Sequence, residues 1–401
     1  MKLLVATEFA CDAPGGGPAV VRQMLEGFAS EGGRGNAIFW WGVRRPAAGQ
    51  RSLAVQTSFA PPFLSKLYPT RRFTHVKAGL LERFWAPLAA GHLRKTIRTV
   101  KPDGIWVIPH DWSIPPLGLA LCGNGNLPRF HTTIQDYPDA HGHPAQWGAE
   151  VCARLNRRQN DLYRQAASRD ATSLPMLADL EARTGARGIR MLHQGLEPAD
   201  FTHLENPAIR HPQPAIVKIA YAGSILVMKE FEFFVEVLSA LRSTIRTELH
   251  FYGAHSHASR AWFRNDWMVE HGNLPERRLV EELRSCDWGF IPMSLDDSDP
   301  RYNRYSFPTK FITYLAAGLP VITLGHPECS VMKMARTFPV GVTLESGDAR
   351  DAVARLGGLA DPAARRKYRE GILRCARENF DAVAMRARLW QCFSSLAKGR
   401  P

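Results

Sequence analysis

The stretch RYNRYSFPTKFITYLAAGLPVITLG, residues 301–325, decides the fold. Ser306 and Pro308 mark the start of a helix, and Lys310 follows in its first turn. The helix ends at a glycine just before a buried apolar strand, PVITL. A helix that runs directly into a buried strand is the connection from which parallel α/β sheets are built. The stretch therefore predicts one helix–strand step of a doubly wound sheet.

The same alternation of short apolar runs and amphipathic stretches continues in both directions. In the N-terminal half, buried strands are predicted at 3–7, 37–41, 105–109, 129–134, 170–173 and 189–192. In the C-terminal half they are predicted at 217–223, 248–253, 266–272, 288–292, 320–324 and 340–344. The proline-rich segment 201–218 separates the two series and is predicted to be a linker. Two such series predict an α/β fold of two doubly wound, Rossmann-like domains.

The composition excludes several classes of protein. The chain has 401 residues, of which 45% are hydrophobic and 22% charged, as is typical of a folded globular protein. No run approaches the roughly 18 apolar residues of a membrane span, and the opening MKLLVATEFA fits a buried first strand better than a signal peptide. The seven cysteines are scattered singly, which argues against disulfides and structural zinc and for the reducing cytoplasm.

The net charge of +13 predicts anionic partners. Nucleic acid is not expected, because no recognised nucleic-acid-binding module is present. The pairs His141/His143 and His255/His257 and the acidic run 296–299 are conceivable metal ligands. None of them has further ligands at a recognisable spacing, so no metal cofactor is expected.

Ligands of doubly wound sheets bind in the loops beyond the carboxyl ends of the strands. After the first strand, Gly16 and Gly17 allow the backbone to approach a ligand closely, although a tight turn explains them equally well. His110 and Asp111 follow the strand at 105–109, and Asp136 follows another predicted strand. These positions predict an acceptor or sugar site; the simpler alternative for His110 is a hydrogen bond to nearby backbone.

The C-terminal half carries cationic groups in the corresponding loops. Gly223 and Ser224 follow a buried strand, and Lys229 lies about one helical turn further on. Lys310 stands at a helix start, where the helix dipole disfavours a cation unless an anion shares the site. Other groups nearby are Arg301, Arg304, Ser306 and Thr309. A surface lysine explains each cation singly, whereas the set together predicts a diphosphate site.

In their order along the chain, these motifs resemble those of the retaining GT-B glycosyltransferases, whose two Rossmann-like domains face a central cleft. The resemblance covers nearly the whole chain. Its segments are Gly16-Gly17, Pro109-His110-Asp111, Gln194-Gly195-Leu196-Glu197 with Phe201, Gly223 to Lys229, Gly272-Asn273-Leu274-Pro275 with Leu279 and Leu283, and Ser285-Cys286-Asp287 ahead of Pro292.

The resemblance implies transfer of a hexose from a nucleoside-diphosphate sugar to an acceptor hydroxyl of a polysaccharide, glycolipid or other glycoconjugate, with retention of configuration. It implies an N-terminal acceptor domain at 1–205, a donor domain at 206–380, and a C-terminal helix at 381–401 that packs back on the N-terminal domain. It implies no cofactor and no metal ion.

The resemblance also implies roles for individual residues. The catalytic residues would be His110, Lys229 and Lys310. The donor diphosphate would be bound by Gly223, Ser224, Lys229, Arg301, Arg304, Ser306, Thr309 and Lys310. The nucleoside would be bound by Leu274, Pro275 and Thr313, and the acceptor or sugar by Gly16, Gly17, His110, Asp111 and Asp136.

The sequence departs from the family pattern at two places. Tyr305 and Thr313 stand where many members carry two glutamates, and Ser224 stands where an arginine usually follows the glycine of the phosphate-binding turn. The segment Pro308-Thr309-Lys310 resembles the Pro-Ser-Lys element of one branch. Two alternatives stay open: a sugar-nucleotide epimerase of the same fold, which needs acid/base carboxylates, and a non-catalytic, degenerate transferase that acts as a scaffold.

The stretch 61–101 mixes basic and apolar residues and suggests peripheral attachment to an anionic membrane. The basic residues are Lys66, Arg71, Arg72, Lys77, Arg83, Arg94, Lys95 and Arg98; the apolar ones are Phe63, Leu64, Leu67, Phe73, Leu80, Leu81, Phe84 and Trp85. Pro69 and Pro87 predict two or three short helices. The alternative is that the apolar residues pack on the sheet while the charges are solvated.

Overall fold

A computed structural model of the chain describes residues 1–13, 15–30, 35–45, 54–61, 74–123, 128–140, 147–206 and 216–398. The chain forms two compact units. The N-terminal unit comprises Met1–His193, Asp299–Ser306 and Ala384–Pro401, and the C-terminal unit comprises Gln194–Ser298 and Phe307–Val383. The sequence did not indicate that the short segment Asp299–Ser306 belongs to the N-terminal unit.

The N-terminal unit contains a six-stranded parallel sheet in the order β3-β2-β1-β4-β5-β6. Its strands are β1 (Lys2–Thr7), β2 (Ala37–Gly42), β3 (Val55–Ser58), β4 (Gly104–Ile108), β5 (Phe130–Ile134) and β6 (Ser168–Ala171). Its helices are Gly16–Leu25, Thr74–Leu80, a π-helical turn Leu81–Trp85, Ala86–Val100, a short 3-10 turn Asp111–Ser113, Ile114–Leu121, Ala149–Gln165, Leu174–Thr184, Pro300–Tyr305 and most of Ala382–Lys398.

The C-terminal unit contains a second six-stranded parallel sheet, in the order β12-β11-β10-β7-β8-β9. Its strands are β7 (Ile216–Ala222), β8 (Arg246–Tyr252), β9 (Met268–Glu270), β10 (Trp288–Pro292), β11 (Val321–Leu324) and β12 (Gly341–Leu344). Its helices are Pro198–Glu205, Met228–Leu241, Glu276–Leu283, Thr309–Ala316, Ser330–Thr337, Ala349–Leu356, Pro362–Arg366 and Arg369–Asn379.

Apolar runs buried on both faces explain why the central strands form. Every residue of β4 (GIWVI) and β10 (WGFIP) is buried, as parallel strands between two helical layers require. In both sheets the strand order reverses between the first and fourth strands of the series, which is the doubly wound arrangement that binds nucleotides. The prediction of two doubly wound, Rossmann-like sheets is confirmed.

The C-terminal helix Ala382–Lys398 contributes to the core of the N-terminal unit. The indole N–H of Trp390 donates to the carbonyl of Met24 at 2.9 Å. The Phe393 ring lies edge-on to His131 and is tilted against Trp106, with ring centroids 6.0 and 5.4 Å apart. These contacts cover one face of the sheet with aromatic side chains.

One predicted strand is wrong. At 189–192 the N–H of Ile189 donates to the carbonyl of Arg169 in β6 at 2.7 Å, but no ladder follows, and the run is irregular with Met191 buried. Its apolar residues serve packing rather than pairing. The sixth strand is instead β3, whose polar sequence VQTS suits an edge strand that has one neighbour.

Tyr314 fixes the helix Thr309–Ala316 to its sheet. Its hydroxyl accepts from the N–H of Ala222 at 2.8 Å and lies 3.2 Å from the carbonyl of Ala220, both in β7. The ring passes over Gly289 of β10, where an added Cβ would lie 2.4 Å from Tyr314 Cδ2. The glycine therefore sets how closely the helix approaches the strand.

We expect Gly289→Ala to lower the free energy of unfolding by about 2 kcal/mol or more, because the Tyr314 ring cannot retreat without weakening its backbone hydrogen bonds. Gly91→Ala is the matched control. Apart from the backbone of its own helix, no atom of the described residues lies within 4 Å of a Cβ at that position, so the change is expected to stabilise by about 0.5–1 kcal/mol. Urea denaturation followed by tryptophan fluorescence measures both, and wild-type stability of Gly289→Ala would contradict this packing.

Candidate active site

Side chains from three neighbouring strands meet at the carboxyl edge of the N-terminal sheet. Glu8, His110 and Asp136 follow β1, β4 and β5, which lie side by side. His110 Nδ1 lies 3.3 Å from Oδ2 of Asp111 and 3.7 Å from Oε2 of Glu8, and its Nε2 lies 4.0 Å from Oδ2 of Asp136. The structure thus brings together the predicted acceptor-side residues His110, Asp111 and Asp136.

Glu8 is a buried carboxylate at this edge that the sequence analysis missed. Its Oε1 accepts from Nε and Nη2 of Arg44 at 3.0 and 2.5 Å, and its Oε2 accepts from the backbone N–H of Trp112 at 3.0 Å. The side chain is only 1% exposed, so Arg44 and this N–H compensate its burial. Its position gave a signal, because Glu8 follows β1 directly at the edge where ligands bind.

The carboxylates around His110 determine its charge. Burial by itself would lower the pKa of His110, but the charges and hydrogen bonds of Asp111 and Glu8 outweigh it and hold the pKa well above 6.5. The raised pKa favours the imidazolium form of the ring, in which both nitrogens are donors. Such a group can hold a sugar hydroxyl or an anion, and it cannot act as a general base.

A tight turn fixes the backbone of His110. The Ser113 hydroxyl donates to the carbonyl of His110 at 2.7 Å and accepts from its N–H at 2.9 Å. Asp111 has φ +39°, in the left-handed region that aspartate and asparagine tolerate better than most residues. The turn therefore holds the imidazolium in one orientation at the strand end.

The glycine loop after β1 leads into the helix Gly16–Leu25, which begins without a side-chain cap. Gly15 has φ +112°, which favours glycine. A Cβ on Gly17 would lie 3.0 Å from Oε1 of Gln135, so the loop passes close to the end of β5. Uncapped first-turn N–H groups at this edge suit a hydroxyl or an anion. The acceptor role of Gly16 and Gly17 stays a prediction.

Three of the predicted diphosphate ligands, Arg301, Arg304 and Ser306, belong to the N-terminal unit, whereas Lys310 belongs to the C-terminal unit. The Ser306 hydroxyl donates to Oδ1 of Asp136 at 2.8 Å. Ser306 is therefore part of the carboxylate cluster around His110. The diphosphate role of these three residues stays a prediction.

Two carboxylates and two aromatic rings hold Arg301. Its Nη1 lies 3.0 Å from Oδ2 of Asp179, and its Nε lies 3.5 Å from Oδ2 of Asp139. The guanidinium stands over the rings of Tyr137 and Tyr305, 4.7 and 5.7 Å from their centroids. Tyr305, at one of the positions where the family often has glutamate, also donates to Oδ1 of Asp179 at 3.3 Å. The cluster anchors the helix Pro300–Tyr305 within the N-terminal unit.

In the C-terminal unit, the turn after β7 is fixed by a tyrosine. Gly223 has φ +90°, and its N–H donates to the carbonyl of Tyr252 at 2.7 Å. The Tyr221 hydroxyl donates to the carbonyl of Ser224 at 2.7 Å. A side chain at Gly223 would strain the turn, whereas glycine leaves its backbone open to a ligand.

Lys310 is a half-buried cation beside this turn. Its Nζ lies 4.0 Å from the ring centroid of Tyr221, and no carboxylate pairs with it in the described part of the chain. Burial lowers the pKa of Lys310 to about 7. An ammonium without a counter-ion at the start of the helix Thr309–Ala316 is unfavourable, and a bound anion relieves it. Because Tyr221 contacts both Lys310 and the Ser224 turn, the two form one site.

Lys229 stands in the first turn of the helix Met228–Leu241 and is 81% exposed, with its Nζ 4.0 Å from Oδ2 of Asp296. The next residue, Glu230, is buried and accepts from the N–H of Leu295 at 3.0 Å. This contact ties the helix start to the loop after β10. Lys229 is consequently a solvated cation on a fixed helix start.

The predicted nucleoside loop lies after β9. Gly272 has φ +74°, and its carbonyl accepts from the N–H of Gly253 at 2.9 Å. Leu274 is half-buried, and Pro275 precedes the helix Glu276–Leu283. Thr313 lies on another helix, with its hydroxyl 3.4 Å from the carbonyl of Thr309. The helix Glu276–Leu283, which follows the loop, packs against the helix Thr309–Ala316, which carries Thr313. The nucleoside role of the loop and Thr313 stays a prediction.

Among the described residues, one group of side chains has the spacing of metal ligands: Glu8, His110 and Asp111, whose ligand atoms lie within 4.8 Å of one another. Arg44 and the Trp112 N–H already engage Glu8, and a charged imidazolium does not ligate a metal. The residues therefore fit an imidazolium site better than a metal site. The pair His141/His143 lies outside the described residues.

Two tyrosines with structural roles at the carboxyl edge of the C-terminal sheet were also missed. Tyr221 lies in β7 and Tyr314 in the helix Thr309–Ala316, where sequence patterns show only core residues. The Tyr314 hydroxyl bonds backbone groups of β7, far away in the chain, whereas the Tyr221 hydroxyl bonds the carbonyl of Ser224, three residues further on. Neither bond has a sequence pattern that distinguishes these tyrosines from other buried aromatics.

Comparison with known proteins agrees with this architecture. Residues 219–352 match the family model described as Glucosyltransferase 3-like, C-terminal domain. No curated protein matches the chain in sequence. The segment matched by the family model contains Gly223, Lys229 and Lys310.

Solved structures resemble the chain over nearly its full length. Sucrose-phosphate synthase from Thermosynechococcus elongatus has a TM-score of 0.71 at 16% identity, covering 100% of this chain and 99% of that one. HepE from Anabaena, in complex with UDP and glucose, has a TM-score of 0.64 at 12% identity, and the match covers 98% of this chain and 100% of that one. A third similar structure is the alpha,alpha-trehalose-phosphate synthase (UDP-forming) from Burkholderia xenovorans, in complex with glucose-6-phosphate. Its TM-score is 0.63 at 14% identity, and the match covers 98% of this chain and 99% of that one. The predicted GT-B fold is confirmed.

We expect Asp111→Asn to lower the pKa of His110, because Asp111 contributes the largest charge that raises it, and asparagine tolerates the same left-handed backbone. Asp136→Asn is the matched control and should change the pKa less, since Asp136 lies 4.0 Å away. NMR titration of the imidazole, assigned by its absence from His110→Gln, measures both. A wild-type His110 that titrates at about 6.5 would contradict the imidazolium assignment.

Proposed function

We propose that the chain is a glycosyltransferase of the GT-B type, which transfers a hexose from a uridine-diphosphate sugar to an acceptor hydroxyl of a glycan or a lipid-linked glycoconjugate, with retention of configuration. The match to a glucosyltransferase family model and the GT-B fold support this proposal. The observation that carries this proposal is Lys310, a half-buried ammonium without a carboxylate partner in the described part of the chain. It stands beside the glycine turn after β7, at the edge where doubly wound sheets bind nucleotides.

The donor chemistry follows from charge. In the reaction, the bond between the anomeric carbon and the diphosphate oxygen breaks, so negative charge grows on the diphosphate. Lys310, the first-turn amides of the helix Thr309–Ala316 and the solvated Lys229 would stabilise that charge. At this turn Ser224 would offer its backbone groups to the diphosphate, whereas the resemblance predicts an arginine side chain at that position.

His110 would serve the sugar or the acceptor rather than remove its proton. A charged imidazolium donates hydrogen bonds, so the acceptor proton must go elsewhere. We propose that the departing diphosphate oxygen takes it as the acceptor oxygen bonds to the anomeric carbon from the same face. Front-side attack retains the configuration and needs no protein nucleophile.

The solved structures supply support for the donor and the stereochemistry. HepE from Anabaena is in complex with UDP and glucose. A similar structure from E. coli, described as trehalose-6-phosphate, is bound with UDP-2-fluoro glucose. Another similar structure is of a trehalose-6-phosphate synthase studied for glycosyl transfer with retention. These ligands favour uracil as the base in our proposal.

Two alternative functions, a sugar-nucleotide epimerase and a non-catalytic scaffold, are less well supported. An epimerase needs acid/base carboxylates in its site. The three carboxylates at this edge are already engaged: Glu8 by Arg44 and the Trp112 N–H, Asp111 by His110, and Asp136 by the Ser306 hydroxyl. A degenerate scaffold would have no use for Lys310, whose pKa is lowered by burial and which has no carboxylate partner in the described part of the chain. Product analysis separates the three, because an epimerase releases an altered sugar and a scaffold releases none.

We also propose that no metal ion takes part and that the protein works in the cytoplasm. The cations already named supply the positive charge that a divalent ion would otherwise provide. The seven cysteines are all free thiols, which suits a reducing compartment.

Lys310→Met should abolish UDP binding measured by isothermal titration, because it keeps the apolar stem beside Tyr221 but removes the charge. In the wild type, UDP affinity should fall by up to about tenfold per pH unit above about pH 7. Over that range Lys310 loses its proton while the charge of the diphosphate stays constant.

Lys310→Arg is the matched control. Arginine stays charged, so this variant should bind UDP with little pH dependence over the same range. An unchanged UDP affinity in Lys310→Met, or the same pH profile in Lys310→Arg as in the wild type, would remove Lys310 from the donor site.

His110→Ala should lower turnover by about 100-fold or more while leaving UDP affinity near the wild-type value, because His110 and Lys310 belong to different units. The measurement is a donor screen with several nucleotide sugars, in which released diphosphate and the product anomer are both analysed. Wild-type turnover in His110→Ala would return His110 to a structural role, and an inverted product would overturn retention.

A further inference from the structure

The residues 74–100 form one uninterrupted helix on the N-terminal unit. Thr74–Leu80, the π-helical turn Leu81–Trp85 and Ala86–Val100 follow one another without a break. The expectation that Pro87 divides this stretch is wrong, because Pro87 directly follows the π-helical turn, where the regular α-helical hydrogen-bond ladder is already interrupted, and the helix continues through it. Pro69 lies outside the described residues.

The inner face of this helix is core. Its buried side chains are Ala78, Leu81, Trp85, Ala86, Ala89, Ala90, Leu93 and Ile97, which join the core cluster of the N-terminal sheet. Leu81 and Trp85 were expected to be candidates for lipid contact, and the structure places both in the core instead. For these two residues, the packing alternative is correct.

The outer face carries a row of exposed apolar side chains: Val76, Leu80, Phe84 and Leu88, each between 51% and 64% exposed. On a regular α-helix a spacing of four drifts by about 40° per step. The π-helical turn between Leu80 and Ala86 accommodates an extra residue and offsets that drift. The four side chains therefore share one face, and soluble surfaces rarely expose such a row without a partner.

Basic side chains accompany this row. Arg83, Lys95 and Arg98 are exposed, and the guanidinium of Arg83 lies 5.8 Å from the ring centroid of Phe84. Glu82 is the one acidic residue between positions 74 and 100, and it turns away to Arg154 and Arg158, at 2.9 and 4.0 Å. The outer face is therefore apolar and positive.

We propose that this face, formed by Val76, Leu80, Phe84 and Leu88 with Arg83, Lys95 and Arg98, docks on an anionic lipid surface. The apolar row enters the headgroup boundary while the basic side chains meet lipid phosphates. None of the described helices has the length and apolarity that crossing a bilayer requires. The inference does not depend on the donor chemistry proposed above.

Charge complementarity favours lipid over a second copy of the chain. Pairing two copies of this face would place their basic residues opposite one another, and Glu82, the one carboxylate of this helix, is engaged on the other side. An anionic bilayer satisfies both the apolar row and the charges. Self-association and an acidic protein partner are the competing occupants.

The test is sedimentation of the full-length protein with vesicles of phosphatidylcholine, with and without phosphatidylglycerol. Wild-type protein should sediment with the anionic vesicles and be released by salt. Phe84→Glu combined with Leu88→Glu should reduce the bound fraction by about tenfold or more, and Lys95→Glu by about fivefold or more. Val55→Glu is the matched control, because Val55 is similarly exposed but lies on the edge strand β3. This variant should bind the anionic vesicles as the wild type does.

Thermal melting verifies that the variants fold, and diphosphate release with a soluble acceptor should be unchanged in them. That readout separates failure of docking from failure of the proposed transferase activity. Equal recovery of wild-type protein in the supernatant with neutral and anionic vesicles at low salt would overturn the proposal. So would a wild-type dimer that becomes a monomer in Phe84→Glu/Leu88→Glu by light scattering, because the face would then serve self-association.

Discussion

Parallel pairing at the two reversal points, β1 beside β4 and β7 beside β10, is the constraint on which the rest of the structure depends. A parallel sheet sends the carboxyl ends of all its strands to one edge, so the loops that follow them must converge. In the N-terminal unit this convergence assembles Glu8, His110 and Asp136 from three separate parts of the chain. In the C-terminal unit it aligns the glycine turn after β7 with the loop after β10, through the contact of Glu230 with Leu295.

The two edges share a topology but differ in electrostatics. At the first, carboxylates surround His110 and keep it charged, so the edge presents a cation whose counter-ions are already in place. At the second, burial lowers the pKa of Lys310 to about 7, and no carboxylate among the described residues pairs with it. A cation with partners is suited to orienting a neutral sugar or acceptor, whereas a cation without one is suited to receiving a diphosphate. This contrast supports our proposal that His110 binds the sugar or the acceptor and that Lys310 binds the diphosphate.

In the helix 74–100, some of the large apolar residues pack in the core and others are exposed and can contact a partner. Leu81 and Trp85 belong to the core because they face the sheet, and Leu80 and Phe84 lie one position before them on the outer surface. Composition alone does not separate adjacent positions of this kind, since all four residues are large and apolar. The side of the helix that the sheet covers decides which of them remain for a partner.

Much of the fold was predictable because buried parallel strands must be continuous apolar runs, and such runs can be recognised locally. The exceptions have local causes: β3 is a polar edge strand, and the apolar run at 189–192 packs without pairing. The candidate residues His110, Asp111 and Asp136 were predictable from their place after strands, and Glu8 could have been found by the same rule.

The sequence by itself therefore determined the two doubly wound sheets, the loops where chemistry is to be sought, and the positions of Lys229 and Lys310 at the carboxyl edge of the second sheet. Only the tertiary structure decided the partners of each charge. It joins Glu8 to Arg44 and Arg301 to Asp179, leaves Lys310 without a carboxylate in the described part of the chain, and places Tyr221 beneath Lys310. The physical reason is that secondary structure follows from neighbouring residues, whereas ion pairs and burial depend on contacts between segments far apart in the chain.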